Sequence, residues 1–190
     1  MVSETQARWE PGRSRSNVDD LATLLRPLIR EVADFPQSGV LFRDLAPVFA
    51  DAAAFRAVVD GLILPGQQVD VVIGVEARGF LLGAAVAYAL GAGVVGVRKP
   101  GKLPVVADRE SYALEYGVAS LELAGGVLQP DQRALVVDDV LATGGTVAAT
   151  CALVERAGAT VSGVSVLLEI ASLRGRDRLS GRQVRVLVTV

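Results

Sequence analysis

Two adjacent aspartates followed by a glycine-rich turn are the part of this sequence best suited to chemistry. The stretch runs from Val136 to Thr146 and reads Val-Val-Asp-Asp-Val-Leu-Ala-Thr-Gly-Gly-Thr. Asp138 and Asp139 end an apolar run that predicts a buried strand, and a helix is predicted after the turn. Because open α/β folds bind ligands at the carboxyl ends of their strands, we expect both carboxylates at a ligand-binding edge.

The turn itself has the composition of a phosphate-binding loop. In the Thr-Gly-Gly-Thr segment 143–146, glycines let backbone N–H groups approach a phosphate, the hydroxyls add donors, and the helix start favours negative charge. The two carboxylates cannot bind phosphate, since an ionised aspartate only accepts hydrogen bonds. The vicinal hydroxyls of a ribose are their natural partner. A sugar diol beside a phosphate loop describes a ribose 5-phosphate site.

A second polar turn and a short basic segment offer further groups for an anion. Glu76-Ala77-Arg78-Gly79 follows the apolar run Val69–Val75 and supplies an arginine beside a predicted helix start. A local basic cluster follows the next predicted strand and consists of Arg98, Lys99 and Lys102. Both features could bind a negatively charged group.

These groups need a scaffold, and the rest of the chain predicts an α/β fold. Apolar runs predict buried strands at Val69–Val75, Val94–Arg98, Ala134–Val137, Thr160–Leu168 and Val184–Val190. Helices are predicted at Phe80–Leu90 and at about Thr146–Ala157. Because strand, turn and helix recur in order, we expect a mostly parallel sheet flanked by helices.

The N-terminal region carries a tail and one helix. Residues 1–17 are polar and charged apart from a few residues, and they predict a flexible tail. Asn17 can cap a helix whose apolar face extends from Leu21 to Val32. Pro27 interrupts this pattern, so a kink or a restart is expected there.

The bulk composition narrows the function classes. A chain of 190 residues suits one domain, which we place at residues 18–190. The net charge of −2 gives no sign of a nucleic-acid or membrane partner. With no histidine, Ser-His-Asp and Cys-His catalysis are excluded, and any proton transfer falls to Asp, Glu, Lys or Tyr. The single Cys151 and the lack of a signal-peptide pattern favour the cytoplasm.

Two glycine-rich patterns imitate nucleotide-binding motifs. Gly91–Gly96 matches a dinucleotide fingerprint, but it follows a predicted helix and runs into a strand, the reverse of the required order. Gly96–Lys102 matches most of a P-loop, yet Leu103 stands where a Ser or Thr would hold Mg²⁺, and Pro104 prevents a normal helix start. We interpret both as structural glycines.

The segment from Val136 to Thr146 resembles the signature of type I phosphoribosyltransferases, which binds phosphoribosyl pyrophosphate (PRPP). This resemblance implies an α/β fold with a small N-terminal base-binding hood and a flexible catalytic loop, here Lys99–Ser111, before the extended stretch Tyr112–Leu123. It also implies a cis peptide bond between Glu76 and Ala77 in a pyrophosphate-binding turn. The implied PRPP-binding residues are Arg78, Lys99, Lys102, Asp138, Asp139, Ala142, Thr143, Gly144, Gly145 and Thr146.

Within that family, three segments resemble the adenine phosphoribosyltransferases: Phe35–Asp44, Arg98–Pro104 and Ser111–Gly117. By this resemblance Phe42 stacks on the purine, and backbone groups near Leu41 and Arg43 read its edge. Glu115 is the implied catalytic carboxylate for the purine's proton, with Tyr116 beside it, and Asp138 and Asp139 are the other two catalytic residues.

The resemblance implies a homodimeric enzyme of purine salvage that makes AMP and pyrophosphate from adenine and PRPP. Mg²⁺ is the implied cofactor, held mainly through PRPP rather than by direct protein ligands. One alternative is transfer to xanthine or another 6-oxopurine, although Ala142 and Gly145 replace the acidic and basic loop residues typical of the hypoxanthine–guanine group. The other is a non-catalytic regulator that binds PRPP, for which no DNA-binding unit is visible.

Overall fold

The computed structural model describes residues 18–114 and 117–190. The helices are α1 (Val18–Leu25), α2 (Ala46–Ala50), α3 (Ala52–Leu62), α4 (Arg78–Leu90) and α5 (Gly145–Arg156). The strands are β1 (Arg30–Ala33), β2 (Leu41–Asp44), β3 (Val71–Val75), β4 (Gly93–Val97), β5 (Val106–Leu114), β6 (Gly117–Ala124), β7 (Arg133–Leu141), β8 (Thr160–Glu169) and β9 (Val184–Thr189). Short 3₁₀ turns lie at Arg26–Leu28, Ala171–Leu173 and Gly175–Leu179.

A five-stranded sheet in the order β4-β3-β7-β8-β9 forms the centre of the molecule. Every neighbouring pair in it is parallel, so all five strands end at the same edge. The α/β prediction is therefore confirmed. The predicted strands agree with the observed ones to within a few residues, except that β7 continues through Leu141 instead of ending at Val137.

The sheet is covered on both faces because successive side chains of a strand point to opposite sides. On one face, Val72 of β3 and Leu135 of β7 pack with apolar residues of α1, α3 and α4. On the other face, Ile73 and Val136 pack against α5 and against β6. Burial on both faces explains why these strands read as continuous apolar runs rather than alternating ones.

The N-terminal prediction was wrong beyond Leu25. The helix continues only as a 3₁₀ turn at Arg26–Leu28, and Arg30–Ala33 is a strand rather than a helical face. Pro27 lacks the N–H group that a continuing helix needs, and the chain then pairs β1 antiparallel with β2, which matches Val32 with Phe42. This two-stranded ribbon, separate from the central sheet, is called the hood below. Asn17 and the predicted tail lie outside the described residues.

The long loop expected at Lys99–Ser111 is shorter than predicted. β5 begins at Val106 and pairs antiparallel with β6, and Arg98 forms an isolated bridge with Glu122, so that only residues 99–105 between β4 and β5 lack regular structure. Alternating exposed and half-buried side chains let this stretch form the outer strand of a hairpin, in which the hydroxyls of Ser111 and Ser120 lie 2.8 Å apart. The sequence pattern also gave no prediction of α2 and α3, although Asp51 caps α3 by accepting the Ala54 N–H at 2.8 Å.

The two glycine-rich patterns that resemble nucleotide-binding motifs, Gly91–Gly96 and Gly96–Lys102, have structural roles. Gly91 ends α4 with a left-handed backbone (φ 66°), and β4 follows directly. Gly101 has φ 76° in the loop after β4, and no helix starts in the described residues that follow it before β5. Within the ranges described, no helix is both long enough and apolar enough to span a membrane.

Candidate active site

Asp138 and Asp139 lie inside the last part of β7, not in the turn after it. Asp138 is paired in register with Val166 of β8, and both aspartates are buried, with 6% and 8% exposure. The backbone N–H of Asp139 donates a 2.8 Å hydrogen bond to Oδ1 of Asp138. Two carboxyl groups are thus held side by side at the carboxyl edge of the sheet.

This burial changes the acidity of Asp138. Removal from water raises the pKa of the Asp138 carboxyl well above its ordinary value, and the neighbouring Asp139 carboxylate raises it further. The Asp139 N–H and the Arg78 guanidinium oppose the shift and do not cancel it. Burial therefore favours the protonated form of Asp138, whereas hydrogen-bond donors or cations in the site favour its carboxylate form.

The glycine-rich turn leads from β7 into α5, as a phosphate loop requires. Gly144 stands at the N-terminal cap of α5 with φ 79°, a conformation that favours glycine. It also packs against Gly175 of the 3₁₀ turn Gly175–Leu179: a Cβ on Gly144 would lie 2.3 Å from the Gly175 carbonyl oxygen. Sequence reasoning missed Gly175, whose only signal is a glycine between Arg174 and Arg176.

The threonine that closes the turn is tied to the β5–β6 hairpin. Thr146 Oγ1 donates a 3.1 Å hydrogen bond to the hydroxyl of Tyr112 on β5. Further along the same two elements, Arg156 of α5 pairs with Asp108 and Glu110 at 2.5 and 2.6 Å. The base of the hairpin is therefore fixed to the helix that begins at the phosphate loop.

Arg78 begins α4 and points into the site. Its Nε lies 2.5 Å from Asp139 Oδ2, and its guanidinium carbon lies 5.5 Å from the centre of the Phe42 ring. The next residue must be small, because a Cβ on Gly79 would lie 2.9 Å from Asp138 Oδ1. The peptide bond between Glu76 and Ala77 is cis, which confirms the expectation from the resemblance.

The basic cluster after β4 is joined to the same turn through Glu76. Glu76 Oε2 accepts the Lys99 N–H at 2.9 Å and the Arg98 Nε at 3.3 Å. Although partial burial raises the pKa of Glu76, the donors from Lys99 and Arg98 outweigh it and lower the pKa. Arg98 also donates to the Lys102 carbonyl at 3.3 Å, so it holds the loop together. The side chains of Lys99 and Lys102 are exposed.

The hood brings Phe42, one of the predicted base-binding residues, to Arg78. Phe42 on β2 meets Phe35 edge-to-face, with ring centres 5.0 Å apart, and its ring also faces the Arg78 guanidinium. Leu41 is 45% exposed, and the Arg43 side chain pairs with Glu31 across the hood. The hood thus offers an aromatic surface with the exposed residue Leu41 beside it.

Glu115 and Tyr116 fall outside the described residues. The pairing of Leu114 with Gly117 shows only that they join β5 to β6. In the part of the chain that is described, no three His, Cys, Asp or Glu residues converge on a point that could hold a metal. Mg²⁺ is usually bound by one or two carboxylates together with phosphate oxygens of the substrate. Two adjacent carboxylates near a predicted phosphate loop suit such an ion.

A groove elsewhere on the surface is separate from these residues. It has a volume of about 410 Å³, and its lining includes Phe55 and Asp60 of α3 and Tyr88 of α4. Tyr88 lies ten residues along α4 from Arg78, about 15 Å at helical rise. The groove contains none of the predicted site residues and plays no part in the proposed chemistry.

The fold is that of a type I phosphoribosyltransferase. A family model, the phosphoribosyl transferase domain, matches residues 52–185. The chain is 58% identical over 167 residues to the adenine phosphoribosyltransferase of Clavibacter michiganensis, covering 88% of this chain and 95% of that one. It is 57% identical to the adenine phosphoribosyltransferase of Saccharopolyspora erythraea, covering 90% of this chain and 96% of that one. The chain therefore belongs to the phosphoribosyltransferase family, in its adenine phosphoribosyltransferase branch.

Solved structures agree with this assignment. The crystal structure of the adenine phosphoribosyltransferase from Thermoanaerobacter pseudethanolicus matches with a TM-score of 0.86 at 43% identity, over 89% of this chain and 99% of that one. The enzyme from Saccharomyces cerevisiae, solved with an imino-altritol bisphosphate and adenine, matches with a TM-score of 0.83 at 34% identity, over 89% and 99%.

Proposed function

We propose that this protein transfers the phosphoribosyl group of PRPP to adenine and releases AMP and pyrophosphate. The observation that carries the proposal is the position of Arg78, which contacts Asp139 and faces Phe42 at once. Arg78, the cation for the leaving group, thereby lies next to an acid for the ribose and to an aromatic surface for the base. The adenine phosphoribosyltransferase of Trypanosoma brucei, solved with AMP, pyrophosphate and ribose-5-phosphate, supports this choice of ligands.

The ribose phosphate occupies the end of β7 and the turn after it. Backbone N–H groups and hydroxyls of Ala142–Thr146 bind the 5-phosphate, aided by the start of α5. Asp138 and Asp139 accept hydrogen bonds from the 2- and 3-hydroxyls of the sugar. Because both carboxylates face developing positive charge on the ribose, they also stabilise the transition state.

The leaving group is taken up by the cations of the two neighbouring turns. The reaction breaks the bond between the anomeric carbon and the pyrophosphate oxygen and forms a bond from that carbon to a purine ring nitrogen. Arg78, Lys99 and Lys102 neutralise the charge that develops on pyrophosphate. Bound Mg²⁺, held mainly by oxygens of PRPP near the two carboxylates, supplies further charge neutralisation.

The base lies between the hood and the hairpin. Phe42 stacks on adenine, and backbone groups near Leu41 and Arg43 read its edge, which suits a 6-amino group that donates to a carbonyl. Glu115 takes the proton that the attacking ring nitrogen gives up. Closure of the predicted catalytic loop Lys99–Ser111, of which residues 99–105 are irregular, excludes water, the competing nucleophile.

The decisive experiment offers the purified protein PRPP and Mg²⁺ with adenine, hypoxanthine, guanine or xanthine in separate reactions. Formation of AMP with stoichiometric pyrophosphate from adenine alone is the expected result. Product from a 6-oxopurine would keep the reaction and overturn the base assignment. Binding of PRPP without product from any base would support a regulator instead.

Three further statements remain predictions. The homodimer rests on the family resemblance, and light scattering at several protein concentrations tests it. The cytoplasmic location rests on the single Cys151, which allows no intramolecular disulfide and fits a reducing compartment. The division into a tail at residues 1–17 and a single domain at 18–190 is tested by limited proteolysis.

A further inference from the structure

Glu122 is a buried carboxylate that the proposed chemistry does not use. It lies on β6, is 1% exposed, and stands directly opposite Arg109 of β5 in the hairpin register. Its Oε1 pairs with the Arg109 guanidinium, whose side chain is 57% exposed. Its Oε2 accepts the backbone N–H of Gly101 at 3.1 Å. Both carboxylate oxygens are therefore engaged, one within the hairpin and one outside it.

The outside contact reaches the loop that carries the predicted pyrophosphate cations. This loop, residues 98–102, is called the basic loop here. Its first residue, Arg98, exchanges two backbone hydrogen bonds with Glu122, one of 2.9 Å from its own N–H and one of 2.7 Å to its carbonyl. The Gly101 N–H then reaches the Glu122 carboxylate three residues later. A single residue of β6 thus holds the basic loop at both ends.

The opposite side of the basic loop is held by the turn before α4. Glu76 accepts the Lys99 N–H, so the backbone between Arg98 and Gly101 lies between two carboxylates. The side chains of Lys99 and Lys102 remain exposed, because these contacts use only their main-chain groups. Such an arrangement fixes the backbone positions of Lys99 and Lys102 and leaves their ammonium groups available to a ligand.

We propose that Glu122 is a positioning residue that sets the basic loop, and with it Lys99 and Lys102, against the pyrophosphate of PRPP. This inference rests on the proposed function and deepens it. A buried ion pair is costly to form, and replacing both partners by apolar groups is often neutral or stabilising, so stability alone does not account for the pairing of Glu122 with Arg109. Pre-organising a flexible loop lowers the ordering cost that the ligand would otherwise meet on binding.

Two substitutions at Glu122 separate the contacts. Glu122→Gln keeps a side-chain carbonyl that can accept the Gly101 N–H and loses the ion pair with Arg109. Glu122→Leu removes both contacts at similar volume. We expect Glu122→Leu to weaken the binding of Mg-pyrophosphate and to raise the KM for PRPP by about tenfold, as for loss of one charge-assisted hydrogen bond. Glu122→Gln should lie between it and the unchanged protein.

Ligands that lack the pyrophosphate group provide the contrast. AMP affinity, measured by calorimetry, and the KM for adenine should stay within about twofold in both variants, because the loop that holds the 5-phosphate is not touched. The matched control is Glu155→Gln on α5, which removes an ion pair with Arg182 of 2.5 and 2.9 Å and should change none of these values.

Unchanged pyrophosphate affinity in a folded Glu122→Leu protein would overturn the inference. So would equal losses for pyrophosphate and AMP, since these indicate a general loss of structure. If Glu122→Leu does not fold, the isosteric Glu122→Gln decides by the same comparison. Failure of the proposed function is recognised separately, because the unchanged protein would then form no AMP from adenine and PRPP.

Discussion

Arg78 Nε lies 2.5 Å from Asp139 Oδ2, an ion pair that joins the start of α4 to the end of β7. The contact lacks hydrogen-bond alignment: Asp139 Oδ2 is buried and accepts no hydrogen bond from the described residues. An oxygen that is close to a cation but not hydrogen-bonded can still take a sugar hydroxyl. The arginine, 35% exposed, likewise keeps donors for a second partner. We therefore expect the pair to exchange partners when PRPP binds.

Replacement of Arg78 tests this exchange. Arg78→Gln removes the charge and should raise the KM for PRPP by about 10- to 100-fold, since hydrogen bonds to charged groups contribute about 1.5–3 kcal/mol. Arg78→Lys should recover only part of the loss, because an ammonium cannot reproduce the planar fork of a guanidinium. Steady-state kinetics with PRPP varied at saturating adenine provide the measurement. Arg182→Gln, which removes the ion pair with Glu155 of α5, is the control, and PRPP kinetics in Arg78→Gln equal to those of the unchanged protein would contradict the role.

The charge of Asp138 should support turnover and, because the carboxyl is buried, should lower the stability of the folded protein at neutral pH. Asp138→Asn keeps an oxygen for the Asp139 N–H and removes the charge that faces the ribose, so turnover should fall at least about 100-fold. Burial, followed by the Asp139 carboxylate, raises the pKa of Asp138 in the folded protein. The folded state then binds more protons than the unfolded state, and stability falls as pH rises from about 4 through the raised pKa.

An asparagine at position 138 does not titrate, so the loss of stability that Asp138 causes in that pH range should be absent from the variant. We expect Asp138→Asn to be at least as stable as the unchanged protein at pH 7 to 8, with the difference shrinking as pH approaches about 4. Thermal unfolding followed over this pH range measures it. Asp60→Asn, at an exposed aspartate on α3, is the control. A variant that is less stable at pH 8 than the unchanged protein would show that the Asp138 charge is stabilising after all.

The central sheet could be predicted because its strands are buried on both faces. Val71–Val75 is fully buried along its length, and a short continuous apolar run between loop residues is typical of such a strand. The N-terminal ribbon could not be predicted this way. The strand Arg30–Ala33 has no buried face, and its conformation depends on pairing with Leu41–Asp44 across a turn. Pairing between these two strands overrides local periodicity, which for this stretch indicated a helix.

The site residues also divide into those that a local sequence pattern predicts and those that depend on contacts between segments. Asp138 and the glycine turn were found because each residue type is tied to its ligand by chemistry that is visible in one short stretch. Gly175 and Glu122 were missed because their roles come from contacts with segments 31 and 21 residues away, Gly144 and Gly101. No local pattern distinguishes a glycine that supports a loop from one that ends a helix.

Phe42 should determine the affinity for the base. Phe42→Leu keeps an apolar side chain in the hood and removes the aromatic face, so the KM for adenine should rise by about 3- to 10-fold, as for loss of about 0.5–1.5 kcal/mol of ring stacking. The KM for PRPP should change less, although Phe42 also faces Arg78. Phe49→Leu, in the Phe49–Phe55 pair of the core, is the matched aromatic control. An unchanged adenine KM in Phe42→Leu would place the base elsewhere.

Gly175 should affect the affinity for PRPP indirectly, because it packs against the backbone of the phosphate loop. A Cβ at this position would lie 2.3 Å from the Ala142 carbonyl oxygen and 3.0 Å from the Gly144 nitrogen, so Gly175→Ala must displace the loop backbone. Such overpacking costs about 1–3 kcal/mol, which lowers Tm by roughly 2–12 °C in a chain of this size. The KM for PRPP should rise by about tenfold or more, because displaced N–H groups no longer meet the 5-phosphate.

The KM values for the two substrates separate this role from simple destabilisation. At a temperature where Gly175→Ala is fully folded, the rise should be confined to PRPP and to AMP, the two ligands with a 5-phosphate, and the affinity for pyrophosphate should hold. Gly93→Ala is the matched control, since a Cβ there meets its nearest neighbours at 3.8 and 3.9 Å, an ordinary contact. If Gly175→Ala lowers Tm while the PRPP and AMP affinities stay unchanged, the 3₁₀ turn supports the fold but not the phosphate loop.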